Sequence, residues 1–268
     1  MNLNQSNPMK YKLILFFLLA FLIPSIGQKK NNQKPATPPP AQAAPAPKAE
    51  TPAEKPAEPA PAEQTGNTFL NHFFLKYQVA SRFGDSDVAR DALYDLIIEY
   101  PGNDSLFMEL GVMYFEAQKF TSAVLVGQEL LARNPKNPTA LELTGSAFEA
   151  LNLKDKALQN FETLYLTTNS FPALYKMAFL QYDVKRFTEA QATTDILLSR
   201  KEADEIKVTF NTAEKKSKDY PIRLSVLNLK GMIARDSGDK AGAKKYFEQV
   251  LAIAPDFLQA KEGLTSLK

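Results

Sequence analysis

Residues 104–137 read DSLFMELGVMYFEAQKFTSAVLVGQELLARNPKN, and this stretch decides the fold. Phe107, Leu110, Gly111 and Tyr114 fall at i, i+3, i+4 and i+7, the spacing that gathers side chains on one face of an α-helix. After the polar break Gln118-Lys119, Ala123, Gly127 and Leu130 recur at i, i+4 and i+7. Pro135 stands just past them, where a helix cannot continue. The spacing therefore predicts two antiparallel helices. Gly111 and Ala123 are small where the pair must approach most closely, with Phe107, Tyr114 and Leu130 packed around them. Such a hairpin cannot cover its own apolar face and needs neighbours of the same kind.

The neighbours are in the chain. A shift of 34 residues places Leu141, Gly145, Phe148, Ala157, Phe161 and Leu164 in equivalent positions, in a unit spanning 138–170. The unit 171–204 carries Leu174, Met177, Ala178, Phe187, Ala190 and Leu197. A further unit, 224–257, carries Leu227, Gly231, Ala234, Ala243, Phe247, Val250 and Pro255. Upstream, 70–103 fits in its second half (Gly84-Asp85, Ala89, Leu93, Leu96, Pro101) and poorly in its first. Five units are counted.

The pattern resembles the tetratricopeptide repeat, a 34-residue helix-turn-helix with small residues at its eighth and twentieth places, aromatics at the eleventh and twenty-fourth, and Pro at the thirty-second. There are departures. The chain has no Trp, Lys76 and Tyr77 replace the usual Leu-Gly pair in the first unit, and Asn169 and Glu202 occupy two of the Pro places. The resemblance implies an all-α solenoid of about five helical hairpins that binds other proteins. It also implies that the second, fifth, ninth and twelfth places of each unit face a concave groove. Carried over by position, these are Met108, Val112 and Phe115; Glu142, Ser146 and Glu149; Tyr175, Phe179 and Tyr182; and Asn228, Met232 and Arg235. Glu116 and Asp183 add acid at the thirteenth place. The expected partner is a protein or peptide segment that is apolar with basic residues, held in the groove. The competing assignment has Tyr175, Phe179 and Tyr182 packing on a neighbouring helix. Self-association stays open, since an exposed end hairpin can stack on a second copy.

The rest of the chain frames this domain. Lys10 and Lys12 precede an apolar run from Leu13 to Ile23, followed by Pro24, Ser25 and Gly27, the layout of a secretory signal at 1–27 with cleavage after Gly27. The run is shorter than the roughly 20 residues of a membrane span. A periplasmic or secreted protein is expected; an uncleaved inner-membrane anchor is the alternative, and only then is a membrane involved. Residues 28–67 hold 10 of the 18 prolines, with Ala, Glu, Lys and Gln. They have almost nothing apolar to offset the entropy of ordering, so a disordered, polyproline-like spacer is expected.

Two stretches interrupt or end the repeat pattern. In 205–223, Ile206, Val208 and Phe210 alternate with polar residues, as do Tyr220 and Ile222 after a polar turn. This predicts a short β-hairpin projecting from the solenoid, with Lys215, Lys216 and Lys218 at its tip. At the end, 258–268 reads as a capping helix along Leu258, Lys261, Leu264 and Leu267, polar on its outer side.

Composition narrows the chemistry. With no Cys and one His (His72), neither a thiolate site nor a two-histidine metal site can be built, and no phosphate-binding glycine loop occurs. No catalytic, cofactor or metal residues are expected; a glycan-cleaving role for Glu142 and Glu149 is the weakest alternative. After residue 67, 25 basic residues face 26 acidic ones, so the electrostatic footprint of a nucleic-acid binder is missing.

Overall fold

The computed structural model describes residues 65–211 and 217–268. The expected signal, almost all of the expected spacer, and Lys215 and Lys216 lie outside the described residues. Four helical hairpins come first: α1 (Thr65–Arg82) with α2 (Ser86–Glu99), α3 (Asp104–Glu116) with α4 (Phe120–Arg133), α5 (Pro138–Ala150) with α6 (Lys154–Thr168), and α7 (Phe171–Asp183) with α8 (Phe187–Ser199). A short α9 (Glu202–Glu205) and strands β1 (Lys207–Asn211) and β2 (Ser217–Pro221) precede the fifth hairpin, α10 (Ile222–Asp236) with α11 (Lys240–Ile253), and α12 (Leu258–Thr265) ends the chain. The weak first helix of the sequence is thus a full helix.

The repeat is written in two sets of residues. Ala89, Ala123, Ala157, Ala190 and Ala243 hold the same place in the five second helices, and each is at most 1% exposed. A side chain larger than a methyl group there would push the paired helices apart. Within each hairpin the turn passes through one residue of positive φ: Gly84, Gln118, Asn152, Lys185 and Gly238. Only two of these are glycine, so the other three turns hold a left-handed conformation that costs a side-chain-bearing residue energy. Caps fix the helix starts, with Asp85 accepting from Val88 N, Asn137 from Thr139 N and Ala140 N, and Asp239 from Gly242 N.

Successive hairpins stack so that the second helix of one repeat covers the first helix of the next: α4 on α5, α6 on α7 and, across the insertion, α8 on α10. Gly111 serves both contacts. A Cβ added there would lie 3.3 Å from Val126 Cγ1 in its own hairpin and 2.5 Å from Leu143 Cδ2 in the next. Arg133 and Arg200 tie consecutive repeats together. Arg133 Nη1 donates to Pro101 O at 2.9 Å with its guanidinium over the Phe107 ring, and Arg200 Nη1 donates to Asn169 O at 3.1 Å beside Phe171.

The insertion forms the expected antiparallel hairpin, with Val208 opposite Tyr220 and Phe210 opposite Lys218. Its described part does not stand free of the stack. Phe210 and Tyr220 pack on Phe257, at ring distances of 5.1 and 5.2 Å, and Tyr220, Phe257, Phe247 and Val250 share one buried cluster. Lys218 belongs to β2 rather than to a tip and donates to Asp256 at 2.8 Å. Alternation explains the difference, because the apolar face of a two-stranded ribbon needs a surface to cover it.

The capping helix also forms. Its packed side is Ala260, Gly263, Leu264 and Leu267, whereas Lys261, expected on that stripe, is exposed. Gly263 lets the backbone of α12 reach the Phe247 ring, which lies 2.6 Å from where a Cβ would be. No helix among the described residues is long and apolar enough to cross a membrane.

Candidate partner-binding surface

The first helices stand side by side and are linked by side chains. Tyr77 Oη of α1 donates to Glu109 of α3 at 2.5 Å. Lys176 Nζ of α7 donates to Glu149 of α5 at 2.7 Å. Tyr175 Oη of α7 shares a 2.7 Å hydrogen bond with Ser225 of α10, and Tyr182 Oη donates to Asp236 at 2.6 Å. These links join α1 to α3 and α5 to α7 and α10, and α3 packs beside α5.

The groove candidates lie in this layer. Met108, Val112, Phe115, Glu142, Glu149, Tyr175, Phe179, Tyr182 and Arg235 are all half-buried, and Glu116 is exposed. Met108, Phe115, Tyr175, Phe179 and Tyr182 rest on the same core, so each shows one side to the protein and the other outward. Tyr175 and Phe179 lean together at 4.9 Å, and Phe115 meets Phe120 edge-on at 5.3 Å. The tyrosines therefore also pack on a neighbouring helix: their rings touch residues of their own hairpin and their hydroxyls reach α10. Asn228, carried over from the family pattern, is buried instead. Its amide donates to Met232 Sδ at 3.5 Å, beneath the surface it was expected to line.

The electrostatics of the layer differ from the bare list of acids. Glu149 is paired with Lys176, and Asp183 with Lys154 at 2.8 Å. Burial pushes the Glu142 carboxyl up, and only the nearby charge of Lys176 opposes that shift. Tyr182 is pushed up to about 12 by burial and by its bond to Asp236. The Arg235 guanidinium, and then Tyr182, hold Asp236 below the usual carboxylate range. Lys176 and Asp236 were missed from sequence because they sit beside the transferred positions. Lys176 follows Glu149 by 27 residues, about two helical turns short of the repeat, so matching repeat positions does not pair the two. Among the described residues no group of three or more His, Asp or Glu side chains is arranged to hold a metal ion.

Family models described as tetratricopeptide repeat match residues 78–138 and 224–257. Comparison with curated proteins yields no match. Among solved structures, the chain resembles a tetratricopeptide repeat protein from Parabacteroides merdae at 20% identity and a TM-score of 0.58, over 75% of this chain and 72% of that one. It resembles MamA at 16% identity and a TM-score of 0.55, over 69% of this chain and 92% of that one. MamA from Desulfovibrio magneticus RS-1 matches at 12% identity and a TM-score of 0.55, over 70% and 96%. At such identities the likeness concerns the fold, which in this family is typically a non-catalytic scaffold for protein partners. With repeats matched toward both ends of the stack, and the same stacked hairpins in solved structures, the chain is a tetratricopeptide repeat protein.

Proposed function

We propose that the chain is a non-catalytic scaffold of the cell envelope that holds a segment of another protein along its layer of first helices. The observation that carries this is the row of half-buried residues running from Met108 through Glu142 and Phe179 to Arg235. Aromatic and aliphatic side chains fixed on a rigid core, each with one face outward, bind without a large ordering cost. The partner segment is apolar with basic residues. Glu142 supports that chemistry, because its half-buried carboxylate is pushed up by burial and gains from an incoming Lys or Arg. Placement in the envelope rests on the sequence of residues 10–27, with cleavage after Gly27. If that segment is retained, the same scaffold is anchored at the inner membrane, and the N-terminal residue of the mature protein separates the two cases.

The test is cross-linked capture from the envelope fraction with the full chain, beside Phe179→Ala and Glu142→Lys variants. Phe179→Ala is expected to keep its helical circular dichroism and lower capture of one protein by at least tenfold, about 1.4 kcal/mol. Glu142→Lys is expected to weaken the same capture. Equal capture by parent and Phe179→Ala would put binding elsewhere, and an unaffected Glu142→Lys would remove the basic character of the partner.

A further inference from the structure

In the stack, α5, α7 and α10 are each covered by the second helix of the preceding repeat, α4, α6 and α8. Among the described residues α1 has no such cover, and its composition shows it. Phe74, Leu75 and Val79 are 51%, 56% and 53% exposed, and Phe83, just past the end of the helix, is 78% exposed. At about 100° per residue these four fall within one half of the helix surface, opposite Ala80, which is buried. Gln78 and Arg82 share that half, and α1 contains neither Asp nor Glu.

The other end of the stack does not match this face. There α12 covers α11 and turns Lys261, Glu262 and Thr265 outward. Head-to-tail stacking of copies would set Phe74 and Leu75 largely on those polar side chains, beside the part-covered Leu264 and Leu267. A surface of the same kind is the α1 face itself. If two α1 helices pair antiparallel about the centre of this face, near Gln78, the two Arg82 backbones lie on opposite sides of it. They are then about 12 Å apart along the helix axis at 1.5 Å rise per residue, beyond the screening length of about 10 Å at 0.1 M salt.

We propose that this face of α1 docks on the same face of a second copy, closing a two-fold dimer through the first hairpins. The four apolar side chains expose roughly 400 Å² per copy, within the range of patches that mark interaction sites. Two copies with their polar rims reach about the 1,000 Å² that a specific interface needs. The dimer is accordingly of moderate affinity, and it leaves the first helices of the later repeats free. It does not depend on what the groove binds.

The chain has no Cys, so one introduced thiol reports without a background. In the full chain, Gln78→Cys places a thiol on the α1 face without removing an apolar side chain, and Glu262→Cys places one on the outer side of α12. With a short bismaleimide at micromolar protein, Gln78→Cys is expected to run as a cross-linked dimer and Glu262→Cys as a monomer. Adding Leu75→Glu to Gln78→Cys is expected to lower the dimer yield at least tenfold with unchanged circular dichroism. The proposal is overturned if Gln78→Cys stays monomeric at high micromolar concentration, or if its dimer is indifferent to Leu75→Glu. It is equally overturned if a mixture of the two variants gives Gln78-to-Glu262 products as readily as Gln78-to-Gln78 ones, which would mean head-to-tail stacking. A Gln78→Cys thiol that a monofunctional maleimide cannot reach in the monomer would show that another part of the chain covers the face.

Discussion

The first and last hairpins are built from the same repeat and finish in different states. In the last, Gly231 occupies the eighth place, and a Cβ there would lie 2.5 Å from Phe247 Cε1. Phe247 is fully buried, seated between the backbones of α10 and α12, and beyond it Phe257 receives the two strands. In the first hairpin the eighth place is Tyr77, which cannot let the helices close to the same distance. It turns sideways instead and bonds Glu109 of the next repeat. The last hairpin is sealed on its outer side by α12, whereas among the described residues α1 keeps an apolar face uncovered and bonds the next repeat through Tyr77. A repeat consensus thus sets the hairpin, and departures from it decide which surfaces remain for association.

The largest effect expected from this contrast is at Phe247. Phe247→Ala should cost about 3–5 kcal/mol, from lost burial plus the cavity left between two glycine-backed helices. Denaturant titration checks it, together with the loss of protection from hydrogen exchange across α10, α11, α12 and the β-hairpin. A cost below about 1 kcal/mol would mean that the last hairpin is no better sealed than the first. Tyr77→Phe should cost about 1 kcal/mol, since water can reach the half-buried Glu109 once the hydroxyl is gone. Exchange should then speed up in α1 and α2 and stay unchanged beyond α4, because contacts in a solenoid are local. If α10 also loosened, the two ends would be coupled and the comparison would fail.

Much of this was legible in the chain itself. The five buried alanines, the glycine at the eighth place and the prolines after the second helices each follow from where two helices must touch or stop. The strand alternation in 205–223 likewise names its own inner face. What the sequence could not place was each partner across repeats. That Phe210 and Tyr220 would meet Phe257, rather than project, depends on where the α11–α12 connection lies in space. The same limit hid Lys176 beside Glu149, which pairs one acid of the candidate surface and lends part of its charge to Glu142. The poor fit of the first helix to the repeat pattern is not a failure to form a helix. α1 is a helix whose departures from the pattern are exposed apolar residues and an outward hydrogen bond.

The smallest expected effect separates the two ends by pH. At the last hairpin, the bond from Lys218, followed by the neighbouring Tyr220 hydroxyl, holds Asp256 below the usual carboxylate range. A carboxylate depressed in the folded state adds stability above its unfolded pKa, and that stability is lost as pH falls through the depressed value. Acid should therefore loosen the β-hairpin from Phe257. At the first hairpin, the bond to Asp91 chiefly raises Lys76. A raised amine adds stability below its unfolded pKa, and this is lost as pH rises through the raised value, so alkali should loosen α1 from α2. Both groups are solvent-accessible and salt screens them, so each step should shrink at high ionic strength. Residue-resolved exchange in acid and in alkali, on the parent and on Asp256→Asn, checks this. Asp256→Asn should start with a looser strand pair and show no further acid step there, while its alkaline response in α1 stays that of the parent. An acid step that survives in Asp256→Asn would assign the effect to another carboxylate and leave the two ends without opposite signatures.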